Sequence, residues 1–284
     1  MGVVLPVLFA LFAAFSNALA TVLQRRAALT VPQSDGFRPG LVLDLLRRPV
    51  WICGILAVIA AGVGQAAALA TGALALVQPL FVLELPLALL IASLLTRQRL
   101  PGALWLAVAG VVAGLGIALV AASPAGNRTD VPPSRWVVAL AACAVVVALL
   151  AVAGLRRPPG RSRAGCLGAA TAVCYALTAA LMKSAVHVLD EQGLRAFLTT
   201  WETYAFGASG ICALLLLEHA MQGGPLVASQ PALTLGDASV SVALGVILYE
   251  EHLRSDWWLL PQLLGVVLIC AGVLSLARSG DGAP

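Results

Sequence analysis

The sequence predicts an all-α integral membrane protein of about nine transmembrane helices, arranged as two inverted four-helix repeats joined by a fifth helix. Three observations predict this fold: the composition, charge-free runs of spanning length, and similarity between the two halves of the chain. Of 284 residues, 61% are hydrophobic and only 11% are charged. Soluble domains contain about 25% charged residues and at most about half apolar residues. The composition therefore excludes a soluble protein.

Charge-free runs locate the helices. A helix needs about 20 mostly apolar residues to cross the hydrocarbon, so charged and proline-rich stretches divide the chain into segments. Residues 49–83 contain no charge and are too many for one helix, so we divide this run at Thr71 and Gly72. The nine predicted segments are 2–23, 50–70, 72–95, 101–122, 135–155, 164–184, 196–217, 226–249 and 257–277.

Basic residues predict the orientation, because loops on the cytoplasmic side are enriched in Lys and Arg. With the N-terminus outside, 12 of the 17 basic residues fall on the inner side. An odd number of helices then puts the C-terminus in the cytoplasm. We expect a multi-pass protein of the cell (plasma) membrane, with an interfacial segment at 33–48 that follows the first helix.

Similarity between the halves predicts an inverted repeat. Residues 18–25 resemble residues 176–183, and each stretch ends on a cation, Arg25 or Lys183. Gln78-Pro79 recurs as Gln230-Pro231, and Gly-Val-Val at 110–112 recurs at 265–267. A single linking helix makes the second half enter the membrane from the opposite side, as in many transporters. The predicted units are 1–122, a linker with the fifth helix at 123–163, and 164–284. Chance likeness between helices of low complexity is the alternative.

Two carboxylates are the main candidates for a functional site. Glu84 lies near the centre of the third segment and Asp237 near the centre of the eighth. They occupy equivalent repeat positions, each sixteen residues before a matching leucine, Leu100 or Leu253. An ionisable group at this depth costs about 2.5–3.5 kcal/mol. The pair could bind a cation, including a metal ion, or couple protons. The alternative is a protonated carboxyl bonded to a neighbour such as Thr234 or Ser239.

Other candidates flank these carboxylates. Pro79, Pro86 and Pro231 remove backbone donors and free carbonyl groups that could line a polar path, although ordinary kinks are the alternative. Gln78 and Gln230 add amides. Arg25 and Lys183 are candidate gates or counter-ions, and the alternative for both is a cation that reaches the membrane interface.

These repeats resemble the drug/metabolite transporter superfamily of the EamA-like type. The resemblance lies in the Gln-Pro pairs, in the turns Arg97-Gln98-Arg99-Leu100 and Glu250-Glu251-His252-Leu253, and in the glycine-rich closing helices. Nine helices with an Arg-flanked link before the second are similar to the NIPA-type magnesium transporters. The resemblance implies a secondary transporter of a divalent cation such as magnesium, or of a small organic metabolite or drug. That branch does not typically carry an acid at the position of Glu84, which favours a proton-coupled role.

Several functions are excluded or kept as alternatives. We find no phosphate-binding glycine-rich loop, no metalloprotease motif and no nucleophile–base pair, so we expect neither an enzyme nor a cofactor. The expected partners are the bilayer and a small solute or ion, with a homodimer left open and no nucleic acid. A non-transporting membrane subunit and a lipid-handling membrane protein are the alternative functions.

Overall fold

The computed structural model describes residues 3–28, 49–97, 101–126 and 128–280, and their regular structure is entirely helical. Within these described ranges, nine helices are long and apolar enough to cross a membrane, as predicted. The predicted interfacial segment at 33–48 lies outside the described residues. The spans are α1 (Val4–Ala28), α2 (Pro49–Thr71), α3 (Leu74–Thr96), α4 (Gly102–Ala122), α5 (Pro133–Leu155), α6 (Arg161–Thr199), α7 (Trp201–Gly223), α8 (Leu226–Tyr249) and α9 (Leu259–Gly280).

The third span is interrupted at its centre. A first half, Leu74–Leu80, passes through the 3-10 turn Phe81–Leu83 into a second half, Glu84–Thr96. Pro86 has no N–H for the carbonyl of Val82, so the α-helical bonding cannot continue unchanged through this point. The interruption puts Glu84 at the first position of the second half. By contrast, α8 runs through Pro231 as one continuous helix.

The sixth span is longer than predicted. It continues past the expected end at Ser184 to Thr199 and bends at Gly193, whose φ of 79° lies in the left-handed region. Glycine adopts such an angle without a steric penalty, which lets the chain turn inside a helical run. As a result α7 begins at Trp201, five residues after the predicted start at Ala196. The stretch between Ser184 and Gly193, which we expected to be a loop, is helical.

Helix pairs form the framework of the bundle. The most extensive contacts join α1 to α2, α6 to α7, α4 to α9, and α6 to α8, while α3 contacts α8 and α1. The α4–α9 pair depends on two glycines, because a Cβ atom on Gly265 would lie 2.6 Å from the carbonyl oxygen of Gly114. Small residues allow backbones to approach this closely inside a membrane.

The two ends of the bundle carry different turns. We call one the Glu251 end: it contains the turn between α2 and α3, together with Pro6 at the start of α1, whose ring lies against Gly72. The opposite end, the Gly160 end, contains the α5–α6 and α7–α8 loops, which are joined by a hydrogen bond from the Gly160 N–H to the Gly223 carbonyl (2.8 Å).

Candidate functional site

The structure brings the two predicted carboxylates together inside the bundle. Glu84 on α3 and Asp237 on α8 are enclosed by helices, and their charges are near enough to interact. Both residues nevertheless keep partial exposure, so each borders open space rather than closely packed side chains on every side. Asp237 is the twelfth of the 24 residues of α8. At 1.5 Å per residue, the pair therefore lies near the middle of the spans.

Three neutral polar residues complete this cluster, which we call the central site. Asn17 of α1 lies within hydrogen-bonding reach of Glu84, and Tyr175 of α6 is near enough to both carboxylates to sense their charges. Ser241 donates a hydrogen bond to Oδ1 of Asp237 (3.2 Å). The central site thus draws side chains from α1, α3, α6 and α8. Its ligand atoms are oxygens and an amide, which are hard donors suited to protons, ammonium groups and hard metal ions.

Sequence reasoning missed these three neighbours. Ser241 stands one helical turn after Asp237, and residues four apart share a helix face, so this spacing was an available signal. The structure gives Asp237 a hydrogen bond from Ser241, whereas the alternative interpretation named Thr234 and Ser239 as examples of a bonded neighbour. Asn17 and Tyr175 carry no comparable signal, because their relation to Glu84 depends on how α1 and α6 pack against α3.

The predicted glutamines lie on either side of the central site rather than within it. Each is the fifth residue of its helix, but α3 starts at the Glu251 end and α8 at the Gly160 end. Gln78 is buried and its side-chain nitrogen has no hydrogen-bond partner within the described part of the chain, whereas Gln230 is partly exposed. Helical rise separates Gln78 from Glu84, and Gln230 from Asp237, by about 9–10 Å.

An apolar groove occupies the other side of α3 and α8. It has a volume of about 360 Å³ and lies between these helices and the α4–α9 pair. On α8 it is lined by residues 235, 238, 239 and 242, a stripe that leaves Asp237 on the opposite helix face. The predicted prolines belong to such apolar surroundings: Pro79 lines this groove, Pro86 lines a second one between α1, α3 and α4, and Pro231 is buried.

Lys183 forms a buried ion pair at the Glu251 end. Its Nζ atom lies 2.9 Å from Oε1 of Glu251, and both side chains have 0% exposure. This burial excludes, for Lys183, the alternative of a cation that reaches the membrane interface. The partner is also unexpected, because we considered Lys183 as a counter-ion to Glu84 or Asp237. Arg25, by contrast, is exposed at the Gly160 end of α1.

Glu251 also caps the first half of α3. Its two carboxylate oxygens accept the backbone N–H groups of Leu74 (2.6 Å) and Ala75 (2.8 Å). A carboxylate is favourable at a helix N-terminus because the free N–H groups point at it. Lys183 donates a further hydrogen bond to the carbonyl of Gly72 (3.1 Å). We call these groups, with Tyr249, the Glu251 cluster; it joins the α2–α3 turn to α6 and to the end of α8.

Aromatic rings cover the cluster. The ring centroid of Tyr249 lies 4.6 Å from the Lys183 ammonium, and its hydroxyl donates to the carbonyl of Ala180 (2.6 Å). Trp136 of α5 packs edge-on against Tyr249 and against Trp201 of α7, at centroid distances of 6.5 and 5.5 Å. These rings exclude water from the ion pair, which strengthens its electrostatic attraction.

A second group of charged residues lies outside the spans, next to the Glu251 cluster. Glu250 forms salt bridges with Arg128 and Arg135, and these arginines lower the pKa of the Glu250 carboxyl from its ordinary value of 4.5. Beside it, the backbones of Ala125 and His252 exchange two hydrogen bonds. The α4–α5 loop is therefore fastened to the turn that carries Glu251.

Charge is distributed unevenly between the two ends of the described chain. The Gly160 end carries eight arginines and one acidic residue: Arg25, Arg26, Arg97, Arg156, Arg157, Arg161, Arg163, Arg278 and Glu218. The Glu251 end carries five basic and seven acidic residues: Arg128, Arg135, Lys183, Arg195, Arg254, Asp130, Asp190, Glu191, Glu202, Glu250, Glu251 and Asp256. The remaining two acids are the carboxylates of the central site.

Comparison with known proteins gives similarity without a function. The chain is 27% identical over 279 residues to an uncharacterized protein of Corynebacterium glutamicum, and the alignment covers 97% of this chain and 95% of that protein. No protein-family model matches the sequence, and no solved structure matches it significantly.

Proposed function

We propose that the protein is a secondary transporter that moves a small solute by alternating access, with Glu84 and Asp237 binding a cation or coupling protons. The convergence of these two carboxylates inside a bundle of membrane-spanning helices carries the proposal. Each would cost about 2.5–3.5 kcal/mol if it stood charged in lipid. Lys183 does not neutralise them, because it pairs with Glu251 and lies about 12 Å along α6 from Tyr175. A transported cation, or protons, would supply the missing positive charge.

An inverted repeat of α1–α4 and α6–α9, linked by α5, fits this function. A two-fold axis in the membrane plane would exchange α1 with α6, α2 with α7, α3 with α8 and α4 with α9. The helix contacts support this proposal: under such an axis α1–α2 would correspond to α6–α7, and α3–α8 and α4–α9 would be self-equivalent pairs. The drug/metabolite transporter resemblance implies the same arrangement. The arginine-rich Gly160 end supports a cytoplasmic location for that end, with the N-terminus outside, in the cell membrane.

The Glu251 cluster acts as a gate in this proposal. It seals the bundle between the central site and the Glu251 end by holding α3, α6 and α8 together with buried ionic and hydrogen-bonded contacts. The repeat-equivalent cation, Arg25, is exposed, and the residue equivalent to Glu251 is Gln98, which cannot form an ion pair. The described residues of the first half hold no acid besides Glu84, so they form no ion pair equivalent to Lys183–Glu251. We infer that solute reaches the central site from the Gly160 end in this conformation.

The substrate is a cation or a small polar organic molecule. A divalent cation such as magnesium suits the carboxylate and hydroxyl oxygens. An organic metabolite or drug would use the same carboxylates with protons as the coupling ion. The proposal assigns transport rather than catalysis.

Proton-dependent flux tests the proposal. Purified protein in liposomes is to be assayed for uptake of divalent metals and small amines at two pH values, with Glu84→Gln and Asp237→Asn variants beside it. We expect each variant to lose at least about tenfold in flux, because a hydrogen bond to a charged carboxylate contributes about 1.5–3 kcal/mol to cation or proton binding, and about 1.4 kcal/mol corresponds to a factor of ten. The matched control is Asp190→Asn/Glu191→Gln, which removes two exposed carboxylates. Undiminished, pH-independent flux in the Glu84→Gln/Asp237→Asn protein refutes the assignment.

Lipid handling is the second candidate, and the 360 Å³ apolar groove favours it. The groove lies across α3 and α8 from the central site, so the two functions respond to different changes. Ala118→Trp would fill the groove without touching the carboxylates. Lipid handling would replace solute transport as the proposed function if two results were obtained together. The unsubstituted protein would move lipid between leaflets, and Ala118→Trp would abolish activity while the carboxylate variants did not.

A further inference from the structure

The α5–α6 loop carries positive charge that no acidic residue of the described chain neutralises. Arg156, Arg157, Arg161 and Arg163 lie within eight residues, and none forms an ion pair with an acidic group of the described chain. Arg157 donates a hydrogen bond from Nη1 to the sulfur of Cys166 (3.3 Å), which leaves its charge uncompensated. Like charges at this density repel one another, so the folded loop favours a bound anion.

Two helix N-termini meet at the same loop. The Gly160 N–H binds the Gly223 carbonyl, and a Cβ atom on Gly224 would lie 2.4 Å from the Gly160 oxygen, so the starts of α6 and α8 are adjacent. At neither start does the N-cap residue, Gly160 or Pro225, form a side-chain hydrogen bond within the described chain to the free N–H groups. Both helices therefore direct the positive ends of their dipoles and several backbone donors towards this region.

Arg163 provides an independent sign of a missing ligand. Its stem lies against Gly223, with Cγ 3.2 Å from the position a Cβ atom would take there, and its buried Nε atom has no hydrogen-bond partner among the described residues. Guanidinium groups bind phosphate oxygens in paired hydrogen bonds, and a buried donor left without a partner is costly. Arg163 as a whole keeps partial exposure, so its guanidinium group can contact an anion at the loop.

We propose that the phosphate of an anionic phospholipid headgroup binds to residues 156–163 at the junction of α6 and α8. The position favours lipid over a free ion, because the loop follows Leu155, the exposed apolar end of a membrane span. Residues at that depth lie among headgroups, and clustered basic residues beside spans attract anionic lipids. The proposed site does not depend on the transport function.

Lipid selectivity tests the proposal on the full chain. Purified protein in nanodiscs or micelles is to be titrated with phosphatidylglycerol, with phosphatidylcholine and with inorganic phosphate, while retained lipid is measured by native mass spectrometry. Arg156 and Arg161 are exposed, so Arg156→Gln/Arg161→Gln should leave the fold intact. At about 1 kcal/mol for each arginine, roughly fivefold in affinity, we expect about a thirtyfold loss of phosphatidylglycerol binding.

Matched variants separate a site from general charge. Arg156→Lys/Arg161→Lys keeps the charge and should retain most of the binding. Arg195→Gln/Arg254→Gln removes two exposed arginines at the Glu251 end and should leave binding unchanged. Equal loss in both double Gln variants, no preference over phosphatidylcholine, or saturation by inorganic phosphate at the same concentration as lipid would each overturn the proposal.

Discussion

Removal of the Lys183 charge should destabilise the protein strongly. Lys183→Met replaces the lysine with an unbranched apolar side chain of similar length that has no ammonium group. Glu251 then stays charged and buried, with 0% exposure. Removing one partner of a buried ion pair typically costs about 3–5 kcal/mol. Glu251 keeps its two backbone hydrogen bonds from Leu74 and Ala75, so we expect a loss near the lower limit of that range.

A double-mutant cycle isolates the interaction. Glu251→Gln alone removes the negative charge beside the Lys183 ammonium and leaves it with neutral acceptors and the Tyr249 ring, which should also cost several kcal/mol. The variant Lys183→Met/Glu251→Gln removes both charges, so its loss should be smaller than the sum of the single losses by about 2–3 kcal/mol. That difference measures the ionic coupling.

Reversible unfolding in mixed micelles, with increasing sodium dodecyl sulfate and tryptophan fluorescence, gives these free energies. Trp136 lies 6.5 Å from Tyr249 and therefore reports on the region of the cluster. Arg195→Met is the matched control, because it removes an exposed cation from the same helix and should change stability by less than about 0.5 kcal/mol. A coupling below about 0.5 kcal/mol, or equal losses for Lys183→Met and Arg195→Met, refutes the reasoning.

Three further predictions concern the same end of the bundle, the α4–α9 contact and pH. Tyr249→Phe should cost about 1 kcal/mol in unfolding free energy, since it loses the bond to Ala180 but keeps its ring over the ammonium; Tyr249→Leu should cost more. Gly265→Ala should cost about 1–3 kcal/mol by overpacking, whereas Gly116→Ala, where a Cβ meets nothing within 4 Å, should be neutral or stabilising in thermal unfolding. The arginines lower the pKa of Glu250 below 4.5, so the Glu250 salt bridges stabilise the protein fully above that pH and are lost as the pH falls below it. Glu250→Gln should remove this part of the pH dependence when stability is measured in an acid titration.

The spans were predictable because hydropathy is a local property. Each helix must satisfy its own backbone in lipid, so an apolar run of sufficient length becomes a span whatever its neighbours are. Boundaries failed where local signals were weak. The helical stretch after Ser184 has charged residues, and the bend at Gly193 places α7 later than its hydropathy indicated.

The carboxylates were predictable for a related reason. A charged side chain in the middle of an apolar run is costly wherever it faces, so Glu84 and Asp237 could be recognised one at a time. The interruption of α3 beside Glu84 was foreshadowed by Pro86, since proline acts within its own helix. Asn17 and Tyr175 could not be found in this way, because neutral polar residues are tolerated on many helix faces.

The sequence by itself determined the membrane class, the nine spans and the positions of two costly carboxylates, because each depends on residues close together in the chain. Only the tertiary structure decided that Lys183 pairs with Glu251, 68 residues away, and that Glu251 caps a helix start 177 residues away. Glu251 follows the end of α8, in a stretch whose polar residues are typical of an exposed turn. Its burial arises from the meeting of α3, α6 and α8, and the energy of a charge depends on what surrounds it.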